Sequence, residues 1–149
     1  MTDLRTAHKP KRVYASFRIN GANTEPTKIT ELLKLTPTST RKKGDWIQVL
    51  EKEIEYGLWV FSTKHDFSLH LEHHLLLLID LLTPKIEVLQ SIKDQGNKLS
   101  ISCYALTEYE NVESHVSLPT LRKLSLLPCD FWIDVYFEIS DEDDEDENE

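Results

Sequence analysis

Three stretches of the chain alternate apolar and polar residues with a period of two, and this alternation constrains the fold more than any other feature. The stretches run from residue 12 to 20, from 98 to 105 and from 131 to 137. A period of two is typical of a strand that buries one face against a core. The apolar phases predicted to face the core are Val13, Ala15, Phe17 and Ile19, then Leu99, Ile101, Cys103 and Ala105, then Phe131, Ile133, Val135 and Phe137.

Helices are predicted between these strands. The first begins at Pro26, whose missing N–H costs nothing in a first turn, and Pro37 stops it. The second is long and takes Asp66 or Ser68 as its N-terminal cap. Its apolar residues recur at spacings of three and four, and Pro84 interrupts the pattern. Either the helix kinks there, or a new helix starts with Thr83 as its cap and Pro84 as its first residue.

The third helix is predicted over residues 117–127, with Leu118, Leu121 and Leu124 facing inward. Residues 57–63 form a further strand candidate, and residues 46–50 form a weaker one. The predicted order of elements is therefore β-α-β-β-α-β-α-β. Strands with one apolar face, interleaved with helices, favour a ferredoxin-like two-layer α+β sandwich, with a mainly antiparallel sheet and helices on one face.

The charge distribution separates one domain from two chain ends. Residues 12–139 are predicted to form a single α+β domain, preceded by a flexible N-terminal segment over residues 1–11. The net charge is -9, but eight carboxylates lie in the last nine residues, so the rest is nearly neutral. Residues 140–149 are predicted to be a disordered acidic tail. The tail either steers the protein toward a basic partner or only increases its solubility.

Neither a secretory signal nor a membrane span is predicted, because the longest apolar run covers only residues 75–79. The two cysteines, Cys103 and Cys129, are too few for a disulfide framework and suit a reducing compartment. We therefore expect a soluble, cytoplasmic protein.

A set of short motifs along the chain resembles one family of proteins, the domain-of-unknown-function family 4279. The motifs, in order, are Phe17 to Gly21, Lys43-Gly44-Asp45, Gly57-Leu58-Trp59, His74-Leu75, Ser102-Cys103-Tyr104 and an aromatic strand from Trp132 to Tyr136. The resemblance covers roughly residues 13–138 and implies a small bacterial protein. It supplies no catalytic residues. One departure is the loop over residues 107–115, which lacks the glycines that are usual in the family.

Catalytic and metal-binding groups are sparse. His70, His73 and His74 have the i, i+3, i+4 spacing that could bring two ligands to a metal, but no third ligand is evident. A partly solvated helix edge, with His74 packed near the sheet, is the favoured interpretation. Cys103 lies on an apolar phase, so we expect a buried core residue rather than a nucleophile. No phosphate loop, nucleophile elbow or dinucleotide fingerprint is present, and no cofactor or metal is expected.

The polar phases of the strands define the first candidate surface. It comprises Tyr14, Arg18, Tyr104, Trp132, Asp134 and Tyr136. Aromatic residues on a polar sheet face favour binding. RNA-binding sheets use aromatic residues in this way, but they need basic surroundings, and this chain is acidic. A protein partner or a second copy of the chain is expected instead. The alternative is that a helix or the chain ends cover this face.

A second candidate surface surrounds the turn at Gly44 and comprises Lys42, Lys43, Asp45, Trp46 and Trp59. An ordinary charged turn is the alternative. The function expected from all these features is that of a non-catalytic bacterial protein-binding domain, most concretely an immunity-type inhibitor of a toxin. Acidity would suit a basic nuclease toxin. The other hypothesis is a small-molecule-sensing or weakly enzymatic domain, and the fold class cannot choose between the two. Neither nucleic acid nor membrane is an expected partner.

Overall fold

The fold is built around one five-stranded sheet with strand order β2-β5-β1-β6-β7. The computed structural model describes residues 8–138. The elements are β1 (Arg12–Gly21), α1 (Pro26–Leu33), β2 (Ser39–Arg41), β3 (Trp46–Ile47), β4 (Lys52–Glu53), β5 (Gly57–Ser62), α2 (Leu71–Leu82), α3 (Ile86–Asp94), β6 (Lys98–Thr107), α4 (Leu118–Leu124) and β7 (Asp130–Phe137). All strand pairs in this sheet are antiparallel except β6 with β7, which are parallel. The predicted α+β class and mainly antiparallel sheet are confirmed.

The core lies between the helices and one face of the sheet. The odd-numbered residues of β1 from Val13 to Ile19 and those of β6 are buried there, as their alternation predicts. The helices cover them with fully buried apolar side chains, which include Leu33, Leu75, Leu78, Leu82, Leu89 and Ile92. Each such side chain contributes about 1.5–3 kcal/mol of hydrophobic stabilisation. We call the opposite surface of the sheet, which carries the even-numbered residues of β1 and β6, the open face.

The segment between α1 and β5 differs from the prediction. Residues 39–41 form β2, an edge strand that the alternation does not reveal because all its residues are exposed. The strand predicted over residues 46–50 is wrong beyond Ile47. Trp46–Ile47 pairs with Lys52–Glu53 in a separate two-stranded hairpin outside the main sheet. The structure therefore has three short strands between α1 and β5, where one was predicted.

The long helix starts later than predicted. It begins at Leu71, after an N-cap residue, His70, that makes no side-chain capping bond. Asp66 and Ser68 instead stabilise the turns before it, where they accept hydrogen bonds from the backbone N–H groups of Ser68 (2.9 Å) and His70 (3.2 Å). The interruption at Pro84 is confirmed, because α2 ends at Leu82 and a single 3₁₀ turn leads into α3.

The apolar faces of α4 and β7 are not buried, and here the predicted core is wrong. Leu118 and Leu121 are 58% and 47% exposed, whereas Leu124 packs against the core as expected. On β7 the exposed fractions are 41% for Phe131, 51% for Ile133, 63% for Val135 and 57% for Phe137. The cause is the placement of α4, which packs beside α2 rather than over β7.

A carboxylate links α4 to α2. Glu72 Oε1 accepts hydrogen bonds from the Ser117 N–H at 2.8 Å and from the Thr120 hydroxyl at 2.7 Å. These bonds lower the pKa of Glu72 to about 2.

The two chain ends, residues 1–7 and 139–149, lie outside the described residues, and so does the predicted acidic tail. Most of the predicted flexible segment over residues 1–11 lies outside them as well. Among residues 8–138, none of the helices has the length and apolar character that would let it cross a bilayer.

Candidate functional site

Three tyrosines form a continuous row across the open face, and we call them the tyrosine row: Tyr14, Tyr104 and Tyr136. Tyr14 and Tyr104 are directly opposite each other on β1 and β6. Their rings stack with centroids 4.7 Å apart and planes inclined by 21°. Tyr136 on β7 extends the row, with its ring 5.1 Å from that of Tyr104. Aromatic pairs at such distances contribute about 0.5–1.5 kcal/mol beyond their buried area.

Two cations flank the β1 end of the tyrosine row. Lys64 Nζ lies 5.0 Å from the centroid of the Tyr14 ring, and the Arg12 guanidinium carbon lies 5.7 Å from it. Arg12 also sits 4.7 Å from the ring of Phe67. Its guanidinium donates to the backbone carbonyl of Asp66 at 3.2 Å and to that of Lys64. These bonds hold the positive charge in place beside the row.

A small cavity of about 120 Å³ lies at the other end of the open face. Its lining residues are Arg18, Asn20, Tyr56, Leu58, Lys98, Ser100 and Trp132. The Arg18 Nε is buried and has no hydrogen-bond partner among the described residues. An unpaired buried donor of this kind costs about 1–3 kcal/mol. Trp132 Nε1 donates to Asp134 Oδ2 at 3.0 Å, which holds that indole at the surface.

The six candidate residues of the first surface therefore lie on one face of the sheet. Asp134 and Tyr136 are exposed, and the other four are half-buried. All four α-helices of the described residues contribute side chains to the core on the opposite face.

The sequence prediction missed the cations that surround these residues. Strand register places Arg41 and Lys98 on the open face with Arg12 and Arg18, and the contact with Tyr14 adds Lys64. Of the missed cations, Arg12 and Lys98 lie on the polar phases of predicted strands, so the alternation alone could have placed them on the open face. The open face therefore carries more cations than carboxylates, although Asp130 and Asp134 of β7 lie on it too.

The second candidate surface is only partly at the surface. Asp45 Oδ2 accepts a hydrogen bond from the Lys42 N–H at 2.7 Å, which closes the turn at Gly44. Trp46 is 58% exposed on the hairpin. Trp59, in contrast, is fully buried, and its Nε1 donates to Thr30 Oγ1 at 3.0 Å. Its inclusion in a surface was wrong, because the β5 register places Trp59 opposite Ile19, on the core face.

The three helix histidines do not converge. His74 is fully buried, as expected, and both its ring nitrogens are occupied: Nδ1 lies 2.7 Å from the Thr63 hydroxyl and Nε2 lies 2.7 Å from the Ser68 carbonyl oxygen. His73 Nε2 lies 2.7 Å from Asp66 Oδ2. Within residues 8–138, no three His, Cys, Asp or Glu side chains are placed to hold a metal ion.

Cys103 is 1% exposed, as predicted. Burial raises the pKa of its thiol to about 12, which favours the neutral thiol at neutral pH.

A second, larger depression lies on the helix side of β6 and β7, and we call it the β7 groove. Its volume is about 560 Å³. The lining is mainly apolar and includes Val13, Leu71, Cys103, Ala105, Tyr109, Val112, Ile133, Val135 and Phe137. Ligand sites of about 300–1,000 Å³ commonly have such a lining.

A family model described as "Domain of unknown function (DUF4279)" matches residues 11–138, which is most of the chain. Comparison with curated proteins and with solved structures finds no significant match.

Proposed function

The chain belongs to the DUF4279 family, and we propose that it is a non-catalytic protein-binding domain whose contact surface is the open face. The tyrosine row is the observation that carries this proposal. Stacked aromatic rings on a face that no described helix covers provide rigid, amphipathic contact area at low entropic cost. Such residues commonly supply most of the energy of an interface.

The charges around the tyrosine row indicate how a partner would be oriented. Lys64 and Arg12 lie at one end of the row, and Arg18 faces the small cavity at the other end of the open face. A carboxylate from a partner, placed in this cavity, would provide the acceptor that Arg18 Nε lacks. The partner is therefore proposed to present aromatic and acidic side chains to the open face.

An immunity-type inhibitor of a bacterial toxin is the most concrete form of this proposal, and a cytoplasmic location is part of it. The eight carboxylates of the last nine residues, which carry nearly all of the net charge of -9, support long-range attraction to a basic toxin, whereas the cations of the open face would bind acidic side chains of that same toxin. The two free cysteines support a reducing compartment. We further propose that the part of the chain from β1 to β6 is a ferredoxin-like unit. The strand order β2-β5-β1-β6, antiparallel throughout, supports this assignment, and α4 and β7 would be additions to it.

The experiment is affinity capture from a lysate of the native host, followed by a binding titration with the purified captured protein. We expect Tyr104→Ala to weaken that binding by roughly tenfold or more, because Tyr104 is the middle ring of the row. Trp46→Ala is the matched control, since Trp46 is an exposed aromatic residue of the second candidate surface. A melting curve of each variant separates loss of binding from loss of fold.

The outcomes distinguish the two surfaces. Weakening by Tyr104→Ala alone supports the open face. Weakening by Trp46→Ala alone would transfer the function to the hairpin. Unchanged binding by both variants would refute the proposal.

A small-molecule-binding domain is the second candidate, and the β7 groove is the observation that favours it. Its volume and apolar lining suit a ligand of modest size. Titration with a fluorescent apolar dye tests this candidate. Val135→Asp should abolish the signal if the groove binds the dye, whereas Val49→Asp, which changes an exposed residue of the hairpin turn, should not.

A further inference from the structure

The two edges of the main sheet differ in how well they are protected against pairing with another strand. The β2 edge is three residues long, contains Arg41 and is followed by Lys42 and Lys43. Short, charged edge strands are a common protection against edge-to-edge association. The β7 edge is eight residues long and contains neither lysine, arginine nor proline, and its two charged residues, Asp130 and Asp134, lie on the phase of the open face. It is therefore the less protected of the two edges.

Among residues 8–138, no strand pairs with the backbone groups on the outer edge of β7. The Glu138 N–H donates to the Thr107 carbonyl oxygen of β6 at 2.8 Å, in register with the parallel pairing. Because backbone groups of successive residues in a strand point to opposite edges, the N–H and C=O groups of the odd-numbered residues point away from β6. Within residues 8–138, no strand lies on that side of β7. The same odd-numbered residues carry the half-exposed apolar side chains of β7.

We propose that β7 pairs in antiparallel fashion with β7 of a second copy of the chain, about a twofold axis at Ile133. This contact lies at the sheet edge and does not rest on the function proposed for the open face. In this register Ile133 is opposite Ile133 of the second copy, and Phe131 is opposite Val135. Both are apolar pairs of the kind that stabilises neighbouring strands. A symmetric contact of this kind also satisfies the free N–H and C=O groups of both copies at once.

Charge selects this register over its neighbours. An axis at Asp134 would place two Asp134 carboxylates directly opposite each other and Asp130 opposite Glu138. An axis at Trp132 would place Asp130 opposite Asp134. Like charges in directly opposite positions destabilise a strand pair. With the axis at Ile133, Asp134 is opposite Trp132 of the second copy. The indole N–H of Trp132 is a suitable donor to this carboxylate, since within one strand it already donates to Asp134 at 3.0 Å.

The experiment measures the dissociation constant of the dimer by sedimentation of the full chain. The wild-type protein is expected to form dimers in the micromolar to submillimolar range, as suits a small interface. Ile133→Asp and Ile133→Lys should each raise the dissociation constant by about tenfold or more, because each places like charges across the axis. Both should fold normally, since Ile133 is 51% exposed. Val49→Asp, at a residue that is 91% exposed and far from β7 in the sequence, is the control.

Mixing the two variants tests the register. An equimolar mixture of Ile133→Asp and Ile133→Lys should recover dimers, because residue 133 then faces an opposite charge across the axis. Recovery only in a mixture of Ile133→Asp with Val135→Lys would overturn the register in favour of an axis at Asp134. A wild-type chain that stays monomeric throughout the range would overturn the proposal. Slow hydrogen exchange of the Ile133 amide in a monomer would also overturn the proposal, because the chain's own ends would then cover the β7 edge.

Discussion

A single buried hydroxyl is expected to hold the sheet to the long helix, and Thr63→Val tests this. Thr63 is fully buried directly after β5. Its Oγ1 accepts a hydrogen bond from the Ala15 N–H at 3.0 Å and lies 2.7 Å from His74 Nδ1. His74 Nε2 must carry the ring proton, because its partner, the Ser68 carbonyl oxygen, can only accept. The Thr63 hydroxyl therefore donates to Nδ1 of the neutral ring rather than to the more distant Ala15 carbonyl oxygen at 3.3 Å, which already accepts from the Thr63 N–H at 2.9 Å.

The magnitude follows from the groups that valine would leave unpaired. Valine has nearly the shape of threonine, so no cavity forms, but the Ala15 N–H and His74 Nδ1 both lose their partner inside the core. Each unpaired buried group costs about 1–3 kcal/mol. Removing the buried hydroxyl recovers part of that cost. We expect Thr63→Val to lower the free energy of unfolding by about 2–4 kcal/mol, a large part of the ~5–15 kcal/mol that domains have.

Urea unfolding followed by circular dichroism measures this free energy. Thr63→Ser keeps the hydroxyl and loses a methyl group, so it should cost only about 1 kcal/mol. Thr40→Val, at an exposed position of β2, should change stability by less than about 0.5 kcal/mol. A Thr63→Val variant as stable as Thr40→Val would show that the hydroxyl is not the hydrogen-bond partner of both groups.

Three further predictions concern protonation, thiol reactivity and the acidic end of the chain. Burial lowers the pKa of His74 below its ordinary value of 6.5. The unfolded state therefore takes up the proton first, and stability should fall as pH drops below about 6.5. Urea midpoints of the wild type and of His74→Gln, measured against pH, test this, and equal slopes of midpoint against pH for the two proteins would contradict it. Burial raises the pKa of Cys103 to about 12 and that of Cys129 to about 11. A thiol reagent at neutral pH should therefore label both cysteines slowly until urea is added. Rapid labelling of Cys103 in the native protein would instead support a nucleophilic role. Deleting residues 141–149, which include no apolar side chain, should leave Tm within about 3 °C, whereas a larger drop would show that these residues contact the domain.

The sequence predicted the internal strands well because alternation is a local property. In β1 and β6 the apolar phase faces the core, so Phe17 and Cys103 are buried where the period of two places them. The same parity correctly predicts that Tyr14 and Tyr104 share the opposite face, since they are direct partners across the two strands. Neither inference needs knowledge of what packs above the sheet.

The exposed elements could not be predicted in this way. The strand β2 has three exposed residues and no periodic signal. Trp59 was placed at a surface because the neighbouring Lys-Gly-Asp turn suggested one, but the pairing of β5 with β1 turns its indole into the core. Lys64 follows β5 in the sequence, and only the folded chain shows that it lies over the ring of Tyr14.

The sequence by itself determined the fold class, the phase of the alternating strands and the membership of the tyrosine row, because these depend on the spacing of residues along one strand. Only the tertiary structure decided which apolar faces are covered. On β7, Ile133 and Val135 alternate as regularly as the buried residues of β1, yet they are half-exposed, because α4 packs against α2 instead. Burial depends on the position of a second element, and the pattern within a strand carries no information about that position.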